Sequence, residues 1–290
     1  MSDDPRTKYE QPPQPAQKQP MPGSTDEMTP TPDHGEESYK GSGKLKDRVA
    51  LITGADSGIG RAVAIAFARE GADVVISYFS EDEDAAETAR WVEQAGRKAI
   101  VAPGDIKDES FCNALVERTV KELGRIDCLV NNAAHQASFE KIEDISAEEW
   151  DVTFRTNIYS MFYLCKAAIP RMQPGSTIIN TTSINAKDPS PQLLAYATTK
   201  GAIANFTGGL AGYVADRGIR VNCVAPGPIW TPLIPSTMPE EKVKSFGKST
   251  PLGRAGQPAE LAPSFVFLAS EDSSYVTGAL IPVTGGRLML

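Results

Sequence analysis

The chain has 290 residues, 41% of them hydrophobic, and a formal net charge of -8. That length suits one large α/β domain or two small ones, with ample material for a core. No Lys/Arg-rich run is present, which argues against a nucleic-acid partner. No uncharged stretch reaches membrane-spanning length and the N-terminus lacks an apolar signal core, so a soluble cytoplasmic protein with no membrane association is expected.

Residues 1–43 carry eight acidic and four basic side chains, so this segment supplies half of the net charge. It is rich in Pro and Gln and nearly empty of branched aliphatics, too poor in apolar surface to offset its ordering entropy alone. It is read as a disordered polar extension, or as an arm draped on a neighbouring subunit through Tyr9, Met21, Met28 and Tyr39. The four cysteines, Cys112, Cys128, Cys165 and Cys223, are far apart in apolar or helical contexts. They read as buried free thiols of a reducing compartment, with no metal-ligand spacing, and no metal is expected.

From residue 44 to 290 short β-branched runs alternate with longer helical patterns. Strands are predicted at 48–53, 73–77, 98–102, 128–131, 176–181, 220–224 and 279–283. Helices are predicted near 58–70, 81–96, 108–123, 146–172, 192–216 and 258–270. Several strands are apolar runs with no polar face, as expected when helices cover both sides of a parallel sheet. The alternation predicts a single α/β domain of Rossmann-like, doubly wound architecture with right-handed crossovers.

Between the first strand and the first helix stands TGADSGIG (53–60). A glycine turn there makes an ordinary tight turn, or lets a helix N-terminus with its unpaired N–H groups approach a pyrophosphate. Its position between strand and helix favours the dinucleotide reading. With three residues between its first two glycines, the motif resembles that of the short-chain dehydrogenase/reductase family.

Other motifs fall at that family's positions: GDI (104–106), NNAA (131–134, with Ala134 where glycine is usual) and PGPIWT (226–231). The resemblance covers everything after the extension. It implies a seven-stranded parallel sheet in the order 3-2-1-4-5-6-7 and an NAD or NADP cofactor. The cofactor residues it implies are Gly54, Ser57, Gly58, Ile59, Gly60, Ser77, Tyr78, Phe79, Asp105, Ile106, Asn132, Ala133, Ala134, Tyr196, Lys200, Pro226, Gly227, Ile229 and Thr231.

Tyr196 and Lys200 stand four apart, on one face of a predicted helix. Alone, the pair reads as a half-buried tyrosine with a solvated lysine. Ser183, thirteen residues earlier and just past the fifth strand, and Asn157 match the family's remaining catalytic positions. By resemblance Tyr196 is the acid/base, Lys200 tunes it and holds the nicotinamide ribose, Ser183 polarises the substrate oxygen, and Asn157 fixes a water. The chemistry is coherent: hydride transfer to a carbonyl builds negative charge on oxygen, which a nearby acid must meet with a proton. An adjacent ammonium is expected to lower a phenol's pKa.

His135 and Gln136 follow NNAA and read either as substrate contacts or as structural ones. Asn185, Gln192, Trp230 and Leu233 are further pocket candidates, together with a lid over about 231–250. Neither rule for the cofactor's 2′ position is met, since Ser77, Tyr78 and Phe79 carry no charge and Ser57 replaces a base. Ser57, Ser77 and Ser80 could donate to a 2′-phosphate, so the reading leans to NADP with use of both cofactors.

The long extension, the INTTS and YATTKGA segments and PGPIWTPLIPS resemble a bacterial glucose/ribitol dehydrogenase-like, general-stress oxidoreductase branch. The expected activity is oxidoreduction of an aldehyde, ketone, sugar or polyol by a homotetramer. The alternatives are a dinucleotide-binding sensor without turnover and a sugar-nucleotide epimerase or dehydratase. The spacing of TGADSGIG and the short C-terminal part count against the latter.

Overall fold

The computed structural model describes residues 4–289. Seven parallel strands form one sheet: β1 (Val49–Thr53), β2 (Asp73–Tyr78), β3 (Ala99–Pro103), β4 (Cys128–Asn131), β5 (Thr177–Thr181), β6 (Arg220–Pro226) and β7 (Leu280–Val283). Their order is β3-β2-β1-β4-β5-β6-β7, as the resemblance implied. In register, Leu51 lies between Val75 and Leu129. Alternate residues of each strand therefore feed opposite faces.

On one face Ala50, Ile52, Val74, Ile76 and Val130 pack against α1 (Gly58–Arg69), α2 (Asp82–Gln94) and, near the chain's end, a Pro258–Ala269 helix. On the other, Leu51, Val75, Leu129, Ile178 and Val221 meet α3 (Glu109–Leu123), α5 (Ser160–Ala168) and α6 (Leu194–Val214). Burial on both faces explains why these strands read as unbroken apolar runs. All strands point the same way, so the loops after their C-terminal ends gather along one edge, where open α/β sheets bind ligands.

The helix predicted over 146–172 is not continuous. It comprises α4 (Ala147–Phe154), a π turn at Arg155–Tyr159, α5 and a 3₁₀ turn at Ile169–Arg171. Such a widened turn is the usual signature of a residue held for function inside a helix, and Asn157 stands in it. The lid carries two short helices, α7 (Leu233–Thr237) and α8 (Glu240–Lys244); the Pro258–Ala269 helix is α9. Among the described residues no helix is long and apolar enough to cross a membrane.

The N-terminal extension makes extensive contacts with the body of its own chain. From residue 4 onward it lies on its own chain, because the partners it lacks locally are supplied from afar. Asp33 N–H donates to Gln257 Oε1 at 3.0 Å, and Ala259 N–H to the Asp33 carbonyl at 3.0 Å. The Arg69 guanidinium donates to the carbonyls of Gly35 (2.7 Å), Tyr39 and Glu36. Met28, 2% exposed, joins Trp230, Ile234, Val243 and Ala255 in a small apolar cluster under the lid.

Arg69→Met keeps the aliphatic stem but leaves the Tyr39 and Glu36 carbonyls without their donor and the Gly35 carbonyl with only the Tyr39 N–H, a loss of about 1–3 kcal/mol for the local packing. Limited proteolysis should then cut before residue 44 faster than in the wild type, with the thermal melt of the body little changed. Equal cleavage rates would contradict this anchoring.

Candidate functional site

A cavity of about 700 Å³ runs along the C-terminal edge of the sheet. Its floor at one end is the turn between β1 and α1. Helix α1 opens at Gly58 with no side-chain cap and no carboxylate in its first turn, leaving its N–H groups and dipole available to an anion. A Cβ on Gly58 would lie 3.1 Å from the Thr231 side chain across the cleft, so only glycine fits here without displacing the lid's first residue. Ser77, at the end of β2, is fully buried with its Oγ unpartnered, yet lines the cavity. An uncapped helix start and an orphan hydroxyl along one wall fit the phosphates and ribose of a dinucleotide.

Thr53 and Asn132 hold this wall. Thr53 Oγ1 accepts from the N–H groups of Asn132 (3.0 Å) and Ala133 (3.1 Å). Asn132 Nδ2 reaches back to the carbonyls of Thr53 and Gly54, each at 3.1 Å. The NNAA turn is thus tied to the glycine turn by its own polar atoms.

Gly54, Ser57, Gly58, Ile59, Ser77, Tyr78, Phe79, Asp105, Ile106, Asn132, Ala133, Ala134, Pro226, Gly227, Ile229 and Thr231 all line the cavity. Gly60 does not; it is buried behind the turn. Asp56, which the sequence reading passed over, also lines the cavity. Burial raises its carboxyl to about 6, with Asp84 adding to the shift and Ser57 opposing it. Lys107, a further lining residue, reaches Asp105 at 3.3 Å and lies over the ring of Phe79, which is 62% exposed.

At the other end α6 presents Tyr196 and Lys200 one turn apart, with Lys200 Nζ 5.2 Å from the Tyr196 ring centroid. Lys200, 2% exposed, donates to the Thr181 carbonyl at 2.8 Å, and its own carbonyl accepts from Thr182 Oγ1 at 2.6 Å. The bland alternative of a solvated lysine is therefore overturned by the packing of α6 on β5. Burial lowers Lys200 to about 7 and raises the Tyr196 phenol to about 12. The Ser183 hydroxyl opposes the rise of Tyr196. The expected lowering of the phenol by its neighbour is thus absent here, because desolvation outweighs an ammonium that is itself suppressed.

Ser183, Tyr196 and Lys200 all line the cavity; Asn157 does not. Its Oδ1 accepts from His135 N–H at 2.7 Å, and its Nδ2 donates to the His135 carbonyl (2.9 Å) and Thr199 Oγ1 (3.0 Å). The side chain is spent on fixing the turn after β4 against the helix that carries Tyr196.

Of the substrate candidates, His135, Gln136, Asn185 and Leu233 line the cavity. His135 Nε2 lies 2.8 Å from Glu149 Oε1, which also accepts from Thr153, and Gln136 Nε2 donates to Thr237 Oγ1 of the lid at 2.8 Å. Both residues are cavity walls held in place by structural contacts. Gln192 lies outside, in a 3₁₀ turn whose carbonyl accepts from Phe139 N–H at 2.9 Å. Trp230 also faces away, 2% exposed, with its indole N–H on the Pro30 carbonyl at 2.8 Å. The stretch 229–231 is extended and bridged to Gly256, so alternate residues face opposite sides. That period-two signal was available in the sequence. Pro22, a cavity residue from the extension, had no such signal.

The sequence model of the family described as enoyl-(acyl carrier protein) reductase matches residues 54–287. General stress protein 39 of Bacillus subtilis (strain 168) is 56% identical over 276 residues, covering 95% of this chain and 96% of its own length. Glucose and ribitol dehydrogenase of Daucus carota is 47% identical over 281 residues, covering 95% and 97%. A short-chain dehydrogenase from Burkholderia cenocepacia J2315, solved in complex with NADP, superposes with a TM-score of 0.79 at 29% identity, covering 84% of this chain and 98% of that one.

The buried lysine gives a pH prediction with a definite sign. The folded chain holds the Lys200 proton less tightly than the unfolded chain, whose lysine keeps the ordinary value of 10.5. Stability therefore rises with pH between about 7 and about 10. Lys200→Met should stabilise the fold at pH 7 by on the order of 2 kcal/mol, seen as a higher melting temperature, with the gain shrinking toward pH 10. A variant less stable than wild type at pH 7 in circular-dichroism melts would contradict the burial account.

Proposed function

This chain belongs to the short-chain dehydrogenase/reductase family, and we propose that it transfers a hydride between a bound nicotinamide dinucleotide and an aldehyde, ketone, sugar or polyol. The observation that carries the reading is the convergence of Tyr196, Lys200 and Ser183 on the cavity that begins at an uncapped helix N-terminus. The dinucleotide, when bound, supplies or receives the hydride.

Everything else falls to the chain's own side chains. Residues 54–59 and Ser77 receive the phosphates and adjoining ribose, and Asn132 to Ala134 form the opposite wall. A phenol raised to about 12 stays protonated at neutral pH, the state required to donate a proton as the carbonyl oxygen gains charge. Ser183 lies beside that phenol and polarises the same oxygen. Lys200, at about 7, is a reserve of positive charge whose protonation favours release of the tyrosine proton. His135, Gln136, Asn185 and Leu233 contact the substrate, and Asn157 is a positioning residue for His135 and α6.

The choice between NAD and NADP is balanced by opposing groups. Ser57, Ser77, Ser80 and Lys107 favour a 2′-phosphate, whereas the carboxylates of Asp56 and Glu81 on the same wall oppose one. We infer use of both, with a lean to NADP that Asp56 restrains. Exposed Trp150, Tyr159 and Phe162, on α4, the π turn and α5, support a homotetramer. Four buried free thiols support residence in the reducing cytoplasm.

Tyr196→Phe should lower kcat/KM for carbonyl reduction by about 10²–10⁴ while NADPH still binds by fluorescence titration; wild-type turnover in this variant would end the assignment. Asp56→Asn should raise the NADP-to-NAD ratio of kcat/KM by about tenfold, or about 1.4 kcal/mol. An unchanged ratio would remove Asp56 from the selection of cofactor. Full-length wild-type protein that binds NADPH yet turns over no member of an aldehyde, ketone and polyol panel would favour a sensor instead.

A further inference from the structure

The lid and the glycine turn meet where Thr231 faces Gly58, and the N-terminal extension lies across that junction. Gly23 adopts a φ of +87°, and a Cβ there would stand 2.7 Å from the Pro232 carbonyl oxygen. Its neighbour Pro22 lines the cavity, and the Pro22 carbonyl accepts from Ser236 Oγ of α7 at 3.2 Å. Two residues on, Thr25 N–H donates to Asp84 Oδ2 of α2 at 3.0 Å. The other oxygen of Asp84 pairs with buried Arg61 at 2.6 Å, and Arg61 Nε donates to the Asp56 carbonyl inside the glycine turn at 2.8 Å. Residues 22–25 are therefore fastened to the lid at one end and, through two buried charges, to the phosphate-facing turn at the other.

The flanks hold this bridge down. Gln14 N–H donates to the Lys244 carbonyl at 2.9 Å and Gln19 N–H to the Pro235 carbonyl at 3.1 Å, one contact on each lid helix. The Gln19 side chain accepts from Ser24 N–H at 2.7 Å. Beyond the bridge, Met28 enters the lid's apolar cluster and Pro30 receives the Trp230 indole N–H. Helices α7 and α8 are five residues each, too short to persist without tertiary support. Much of that support is the extension. A dinucleotide along the glycine turn would lie beneath this strap, and its departure requires the strap or the lid to move.

We propose that residues 14–30, centred on Pro22–Thr25, form an intrachain clamp over the phosphate stretch of the bound dinucleotide, with Gly23 and Trp230 as its positioning residues. The proposal rests on the reading of the cavity as a dinucleotide site. Closure is supplied by a segment distant in sequence from the catalytic groups, so it governs cofactor exchange and leaves hydride transfer itself alone.

The test uses the full-length chain with NADPH and NADH as probes, following dissociation by stopped-flow fluorescence and folding by circular dichroism. Gly23→Ala places a methyl against the Pro232 carbonyl in a left-handed backbone, and Trp230→Phe keeps an aromatic ring but deletes the donor to Pro30. Gly23→Ala should speed dissociation of both cofactors by about tenfold, or about 1.4 kcal/mol, with Trp230→Phe shifting it the same way by less. The single-turnover rate at saturating cofactor should be unchanged in both. Should Gly23→Ala fail to fold, the Trp230→Phe dissociation rate decides alone. Unchanged dissociation from folded variants, while the wild type binds either dinucleotide, would overturn the clamp and leave the proposed reaction standing. A wild-type chain that binds neither would overturn both.

Discussion

A lysine amine buried between α6 and β5 is the constraint on which the site depends. Lys200 gives up most of its hydration and recovers a single bond to the Thr181 carbonyl, so its place in the fold costs stability. The structure accepts that cost at one residue and then over-determines its surroundings. Thr182 binds the Lys200 carbonyl, and Asn157 binds the adjacent Thr199. The same Asn157 amide clamps His135 through both backbone groups. Substrate wall, acid and lysine are thereby set by one continuous hydrogen-bonded network, with the π turn around Asn157 as its pivot. A destabilised side chain inside a rigid frame is how a fold keeps a group available to chemistry.

The opposite end of the cavity follows a different logic. There the protein leaves groups unmet: an uncapped helix start and an orphan Ser77 hydroxyl. Unsatisfied donors along a wall are unfavourable until an anionic or hydroxylated ligand meets them, so this end is built for binding as the other is built for proton transfer. The extension joins the two regimes by fastening the lid to α2.

Local signals carried far in the sequence. The glycine turn, NNAA, Ser183 and the Tyr196–Lys200 pair are defined by spacing within one element or one loop, and the structure brings all but Asn157 and Gly60 of the proposed catalytic and cofactor residues to one cavity. Strand order followed from the resemblance alone, whereas the unbroken apolar runs spoke only for a sheet covered on both faces. What escaped was non-local. The extension lacks a core of its own, yet Arg69, Gln257 and Trp230 supply partners from distant elements, which composition cannot reveal. The Lys200 shift depends on how closely α6 packs against β5. Trp230 was misassigned by adjacency to cavity residues, although the period of an extended segment already turned it away. Gln192 failed similarly, being near Tyr196 in sequence but beyond the cavity rim in space.

The most direct test of hydride transfer is to follow the hydrogen itself. Full-length enzyme supplied with NADPH carrying deuterium at the transferred position and a panel of aldehydes, ketones and sugars should yield, by mass spectrometry, an alcohol with one deuterium on the former carbonyl carbon, in step with cofactor oxidation. Cofactor that binds but is never oxidised, or product formed without the label, would contradict the account.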